Sequence, residues 1–338
     1  MSTIKDIAAE AGVSVMTVSN VINNNHAKVS PATEQRIREI MEKHNYVPNM
    51  AARSLISKSS RIIAVLLPIW HGSTASMLRD PYAGQLAGYL EEQLREKNYF
   101  VMLCSFEQVN QVLMAQRTWQ IDGMVLILPH EDAVTRELIE KTQTPLVVID
   151  RYYDDLPMLS VCLDDRDGGY QAAKYLLERG HRKIAFAAPS IHGSSVIRDR
   201  FEGFQTALGE YGLTAREEWL FDDVFGQEGG ERTAESIFRM HDRPTAVVAT
   251  EDLLACGIIK GCQERQMQIP QDLSVVGFDD SLPARLITPG LTTIKQNIRE
   301  KAELSVKMLM RAIEETGFRN EHLVMGVTVK ERQSVQTL

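Results

Sequence analysis

Two groups of residues in this 338-residue chain have side chains suited to recognising other molecules. Val15, Met16, Thr17, Ser19, Asn20 and Asn23 crowd into one short stretch. The hydroxyls of Thr17 and Ser19 and the Asn23 amide suit phosphate oxygens. Val15, Met16 and Asn20 suit base edges in a major groove. The second group is dispersed. Arg200 is a rigid fork that can donate two bonds to vicinal hydroxyls or a carboxylate. Asp150 and Asp279 are acceptors for hydroxyls, and each follows a buried strand-like run, where a cleft would lie. No nucleophile elbow, metal cluster or matched acid–base pair is read, so no catalysis, metal or cofactor is expected. Gly226-Gln227-Glu228-Gly229-Gly230 lacks both G-x-G-x-x-G spacing and a Walker lysine, which argues against a nucleotide fingerprint.

The charge distribution supports the first group. The chain carries −8 overall, yet residues 1–61 hold eight Lys or Arg against five acids. A basic head on an acidic body suggests a polyanion-binding module attached to something else. Composition, 44% hydrophobic and 24% charged, is that of an ordinary globular protein. No long uncharged apolar run exists, and no leader precedes Lys5, so a cytoplasmic location is expected. Cys104, Cys162, Cys256 and Cys262 are scattered, as suits buried thiols in a reducing compartment.

Elements that must position the first group are legible. Thr3-Ile4-Lys5-Asp6 is a capping signature, followed by helical spacing of Ile4, Ile7, Ala8 and Ala11. Gly12 stops that helix and permits a tight turn. Ser14 caps a second helix, with Val18 and Ile22 predicted inward. Ser30-Pro31 opens a third, with Ile37, Ile40 and Met41 as its stripe. From spacing alone, such a pair serves equally as an ordinary helical hairpin with a solvated face. Residues 47–60 read as a linker carrying one marginal helix that needs a partner to form.

From residue 61 the pattern alternates. Strand-like runs lie at 62–67, 100–104, 123–128, 146–149, 159–163, 184–188, 246–249 and 273–278, most of them separated by helical segments. Continuous apolar runs between helices predict buried parallel sheets, and their number predicts two doubly wound lobes. Asp252 and Asp280 belong, on type, at helix N-caps. His181 reads as structural, and Trp70-His71 as a possible cleft rim.

At this point the residues carry a resemblance. Ile4–Ser14, Thr17-Val18-Ser19, Asn45–Asn49 and Ala52-Arg53-Ser54-Leu55 resemble the head of the lactose/galactose repressor family. So do Asp80-Pro81-Tyr82, Val147–Arg151, Gly180–Phe186, Arg200–Phe204, Val275–Asp280 and Leu291–Ile294 in the body. The resemblance implies a small all-α helix-turn-helix head plus an α/β core of two parallel-sheet, periplasmic-binding-protein-like lobes. It places the head at 1–46 and a hinge helix at 47–60. The core follows at 61–338, with lobe 1 at about 61–160 and 291–320 and lobe 2 at about 161–290 and 321–338.

It also implies a homodimer on a pseudo-palindromic double-stranded DNA operator, regulated by a small-molecule effector, expected to be a carbohydrate, held between the lobes. The DNA set is Thr3, Ser14, Val15, Met16, Thr17, Ser19, Asn20, Asn23, Asn49, Ala52, Arg53 and Leu55, with Leu55 an apolar wedge in the minor groove. The effector set is Asp150, Arg200, Phe225, Glu251 and Asp279, with Phe225 at a family aromatic position that can stack on a sugar. Two departures stand out. Asn20 replaces a frequent Arg, which suggests adenine rather than guanine at that base pair. Glu251 replaces a frequent Asn, which makes the site more acidic. No apolar heptad tail follows the strand read at Thr328–Val335, so no tail-mediated tetramer is expected. Two rivals share parts of this pattern. A sugar-transport receptor would need an export signal and no basic head. A Rossmann-like enzyme would need turnover chemistry that the residues do not display.

Overall fold

The computed structural model describes residues 2–22, 26–46, 59–69, 77–129, 132–151, 153, 155–191, 195–222, 224–315 and 317–338. Asn23, Asn49, Ala52, Arg53 and Leu55, with Trp70 and His71, lie outside them. The chain divides into two compact units, residues 1–60 and 61–338.

In the first unit, helices α1 (Ile4–Ala11), α2 (Val15–Ile22) and α3 (Pro31–Lys43) enclose a small core of Ile7, Ala8, Ala11, Val18, Val21 and Ile37. The Thr3/Asp6 capping box forms as the sequence predicts. Gly12 ends α1 at φ 62°, a left-handed conformation that favours glycine. Ser14 Oγ accepts from Thr17 N–H at 3.1 Å and so starts α2. The inward pair on α2 is Val18 and Val21, whereas Ile22 is half-buried. Position 21 lies three residues on from 18 and faces the same side as closely as 22 does, so spacing alone did not choose between them. Glu10 ties α1 to the end of α3, accepting from Lys43 Nζ at 2.7 Å and meeting His44 Nε2 at 2.5 Å.

The second unit has two six-stranded sheets. Lobe 1 takes strands β1 (Ile62–Pro68), β2 (Phe100–Phe106), β3 (Gly123–Ile127), β4 (Leu146–Ile149), β5 (Leu159–Leu163) and β11 (Glu321–Met325). They lie in the order β11-β5-β4-β3-β1-β2, all parallel. Lobe 2 takes β6 (Ile184–Ala187), β7 (Leu220–Phe221), β8 (Ala246–Ala249), β9 (Ser274–Asp279), β10 (Thr292–Lys295) and β12 (Thr328–Lys330). Their order is β12-β10-β9-β8-β6-β7, with β12 antiparallel to β10. Helices α4 (Pro81–Glu96), α5 (Val109–Trp119), α6 (Ala133–Lys141) and α12 (Ile298–Glu314) accompany the first sheet. Helices α7 (Asp165–Glu178), α8 (Ser195–Glu210), α9 (Gly226–Arg239), α10 (Asp252–Glu264) and the short α11 (Leu282–Leu286) accompany the second.

Strand membership moves the expected lobe boundaries a few residues downstream. The chain crosses after β5, after β10 and after β11, so 159–163 and 321–325 belong to lobe 1 and 292–295 to lobe 2. Hydrogen-bond pairing decides this, and residue types do not reveal it. The final strand is also shorter than Thr328–Val335, stopping at Lys330. Two crossings are pinned side by side, since Asp164 N–H donates to Met325 O at 2.9 Å.

Close glycine contacts set the helix pairs of lobe 2. A Cβ on Gly203 would lie 1.8 Å from Arg166 O, so α7 and α8 touch backbone to backbone. A Cβ on Gly257 would lie 2.1 Å from Gln227 O, which holds α10 equally close to α9.

Candidate functional site

Helix α2 presents two apolar side chains to solvent at its N-terminal end. Val15 is 41% exposed and Met16 is 69% exposed. Thr17, Ser19 and Asn20 are half-buried beside them. Burying Val18 and Val21 turns positions 16, 19 and 20 away from the core, while Val15 stands exposed in the first turn. The cap also fixes the Thr17 hydroxyl, which lies 2.9 Å from Ser14 Oγ. Thr3 is committed to Asp6, its hydroxyl donating at 2.9 Å. Exposed apolar groups flanked by hydroxyls and an amide form a surface that can contact thymine methyls and base edges.

In the second unit the effector candidates gather at the carboxyl ends of the central strands. Arg200 on α8 is buried. Its Nε donates to Asp165 Oδ1 at 2.8 Å and its Nη1 to the Thr250 carbonyl at 2.6 Å. Its guanidinium lies 3.5 Å from the Phe278 ring centroid. The tight α7/α8 pair brings Asp165, at the start of α7, within reach. Burial raises the Asp165 carboxyl to about 6, even though Arg200 opposes the shift.

Asp150, just past β4, is held by two side chains. Lys301 Nζ donates to its Oδ1 at 2.6 Å, and the Tyr82 hydroxyl donates to Oδ2. Lys301 also donates to Tyr82 Oη at 3.0 Å and to Gln296 Oε1 at 2.7 Å. Gln296 Nε2 in turn donates to Asp279 Oδ1 at 2.5 Å. Gln296 follows β10 of lobe 2, while Asn297 caps α12 of lobe 1. The bonded series Tyr82–Asp150–Lys301–Gln296–Asp279 therefore runs across a lobe crossing.

Glu251 reaches the chain next to Phe225 at the start of α9. The α9/α10 glycine contact brings the two helix starts together, and Gly226 N–H donates to Glu251 Oε1 at 2.5 Å. Desolvation pushes the Glu251 carboxyl up to about 7; the Gly226 bond opposes this and Asp80 adds to it. Phe225 is 59% exposed at the N-cap position of α9. Asp279 lies well above the usual carboxylate range, first through burial and then through nearby Asp252. Backbone strain marks the same edges. Asp150 (φ 63°), Asp279 (φ 115°) and Asp280 (φ 57°) all adopt a conformation that L-residues rarely take.

Asp252 and Asp280 are not N-caps. Glu251 and Ser281 hold those positions. Asp252 instead accepts from Ser281 N–H at 2.7 Å and from the Thr293 hydroxyl at 2.6 Å, joining α10 to β10. Asp280 pairs with Arg332 and Arg285. Long-range partners outbid the local cap in both cases.

Residues 3–49 match a family described as bacterial regulatory proteins, lacI family, and residues 173–335 match a periplasmic binding protein-like domain. The chain is 33% identical to the HTH-type transcriptional regulator DegA of Bacillus subtilis, covering 88% of each. It is 34% identical to the HTH-type transcriptional repressor PurR of Erwinia tasmaniensis, covering 99% of this chain and 97% of that one. The chain belongs to the LacI family. Its fold superposes on a lac repressor dimer bound to operator and the anti-inducer ONPF with a TM-score of 0.86, at 24% identity over 99% of both chains. A LacI-family regulator from Enterococcus faecium with bound ribose is 27% identical, with a TM-score of 0.71, over 82% of this chain and 99% of that one.

This LacI-family chain is thus a DNA-binding transcriptional regulator. The structure joins Asp150 to Asp279 through Lys301 and Gln296, while Arg200 bonds the carbonyl of Thr250, the residue before Glu251, and Glu251 bonds Gly226, the residue after Phe225. Sequence reasoning did not assign Lys301, Gln296, Tyr82 or Asp165 to the site. Lys301 carried one signal, because it falls on the buried stripe of α12 with Ile298, Ser305 and Leu309.

Proposed function

We propose that this LacI-family regulator acts as a dimeric, operator-specific repressor whose DNA affinity is set by a small hydroxyl-bearing effector closing the two lobes. In this reading α2 contacts base edges through Val15, Met16 and Asn20, while Ser14, Thr17, Ser19 and Thr3 orient the helix on phosphates. Asn23, Asn49, Ala52, Arg53 and Leu55 complete the DNA contacts, with Leu55 as a wedge. The effector meets Arg200, Asp279, Glu251 and Phe225 from lobe 2 and Asp150 from lobe 1. The relatives bound to ribose or cellobiose favour a sugar or sugar derivative.

One observation carries the reading. A reading helix with exposed apolar tips shares a chain with two sheets whose strained carboxyl ends are joined through a lobe crossing. Binding that favours one lobe arrangement can bias a bistable element and so change a distant site. The test begins with selection of an operator from random duplexes by the full-length protein. Affinity for that operator is then measured with each small molecule that raises the thermal midpoint. An effector that shifts operator affinity fivefold or more, a coupling of about 1 kcal/mol or greater, supports the mechanism. A protein that selects no duplex over random competitor, with or without such molecules, overturns it.

A further inference from the structure

The two lobes meet through side chains as well as through the three crossings. Arg151 leaves the carboxyl end of β4 in lobe 1, directly after Asp150, and is 3% exposed. Its Nη1 donates to Ser195 Oγ, and Ser195 is the first residue of α8 in lobe 2. The bond stands beside groups assigned to the effector. Arg151 adjoins Asp150, and Ser195 opens the helix that carries Arg200.

Each end of the bond is fixed to its own lobe. On lobe 1, the Arg151 guanidinium lies 5.8 Å from the Tyr153 ring centroid, and that of Arg136 lies 4.8 Å from the same ring. Arg136 is bound in turn to both carboxylate oxygens of Asp155, at 2.7 and 3.2 Å. On lobe 2, α8 is locked against α7. A Cβ on Gly169 would lie 1.8 Å from Arg200 O, and one on Gly203 would lie 1.8 Å from Arg166 O. Rotation of one lobe away from the other therefore breaks the Arg151–Ser195 bond and is not absorbed by slack at either end.

We propose that Arg151 and Ser195 form a latch that holds the lobes together before any effector binds. The proposal rests on the reading that lobe arrangement sets operator affinity. A guanidinium donating to a hydroxyl away from water makes a charge-assisted bond, and losing one shifts an equilibrium about tenfold or more. The latch thus reduces what the effector must supply, because apparent affinity is intrinsic affinity scaled by the fraction of chains already closed. It also sets the level of operator binding in the absence of effector. Without it, the unliganded protein moves away from effector-bound behaviour, whichever direction the effector acts.

The test uses the full-length, unliganded protein as wild type, Ser195→Ala, Arg151→Gln, the double variant, and Ser195→Thr, which keeps the hydroxyl. The first amides of a helix lack intrahelical acceptors, so hydrogen exchange at residues 195–198 reports on what covers the start of α8. Residues 203–210, farther along the same helix, serve as the internal reference. Ser195→Ala and Arg151→Gln are each expected to speed exchange at 195–198 about tenfold. The double variant should add nothing further, and Ser195→Thr should match the wild type. Affinity for the operator that the wild-type protein selects from random duplexes should change about threefold or more in both single variants, in the same direction. Faster exchange with unchanged operator affinity keeps the latch and overturns the reading that closure governs DNA binding. Unchanged exchange at 195–198 in both variants, or effects that multiply in the double variant, overturns the latch and leaves that reading standing. Arg151 is buried, so faster exchange at 203–210 in its variant marks a loss of folding. Ser195→Ala, at a half-buried helix start, then decides by itself.

Discussion

Replacing Lys301 by methionine tests whether the buried bonded series holds the core together. The ammonium is 0% exposed and makes three bonds, at 2.6 Å to Asp150, 3.0 Å to Tyr82 and 2.7 Å to Gln296. Methionine fills similar volume but leaves the Asp150 carboxylate, itself 6% exposed, with Tyr82 as its remaining side-chain donor. Breaking one side of a buried ion pair costs about 3–5 kcal/mol, because the abandoned charge stays desolvated. For a unit of this size each kcal/mol lowers the thermal midpoint by about 2–4 °C, so a fall of roughly 6–20 °C is expected. The double variant Asp150→Asn/Lys301→Met removes both charges and should recover about half of that loss or more. Differential scanning calorimetry of the four proteins closes a double-mutant cycle, with an expected coupling of about 2 kcal/mol or more. A single-variant loss under about 1 kcal/mol, or strictly additive losses, would refute the reasoning.

On the DNA side, Met16→Ala is expected to weaken operator binding by about 1–2 kcal/mol, while the thermal midpoint holds steady because that side chain is 69% exposed. Asn20→Arg should move one selected base pair from A·T toward G·C; a selection returning the original operator would count against the assigned role. Operator affinity should fall steeply as salt rises, and a nearly flat log K against log salt would contradict phosphate neutralisation by the head. Glu251, raised to about 7, and Asp165, raised to about 6, bind protons more tightly in the folded chain than in the unfolded one. Their stabilising contribution is fully present below about pH 4 and is lost as pH rises through about 6 and then 7. Thermal midpoints between pH 5 and 8 should therefore decline with rising pH, and Glu251→Gln should flatten the upper half of that profile.

The legible part of the fold was the part whose residue pattern depends on local rules. β1, β3 and β4 are continuous apolar runs because both faces of a central parallel strand are covered. The capping box at Thr3 and the glycine at 12 stated the bounds of α1 outright. β7 and β11 escaped notice because edge strands are short and half-exposed, so Glu321 and His322 look like loop residues. The site divides in the same way. Asp150 and Asp279 were readable from their place after buried strands. Lys301 was not, because Arg299-Glu300-Lys301 resembles a solvated helix face until α12 is rotated against the sheet. Asp252 and Asp280 show the limit of local rules, since partners up to 52 residues away claimed their oxygens.

The order in which strands enter the two sheets has a consequence during synthesis. The head is finished by residue 46, whereas lobe 1 lacks its edge strand until residues 321–325 exist and lobe 2 until residues 328–330 exist. At roughly ten residues per second, the ribosome takes about half a minute to span that gap. Throughout that interval the nascent chain carries a complete three-helix head and no finished sensor. Any affinity of the head for duplex DNA is then ungoverned by metabolite, and regulation begins only when the last two strands dock.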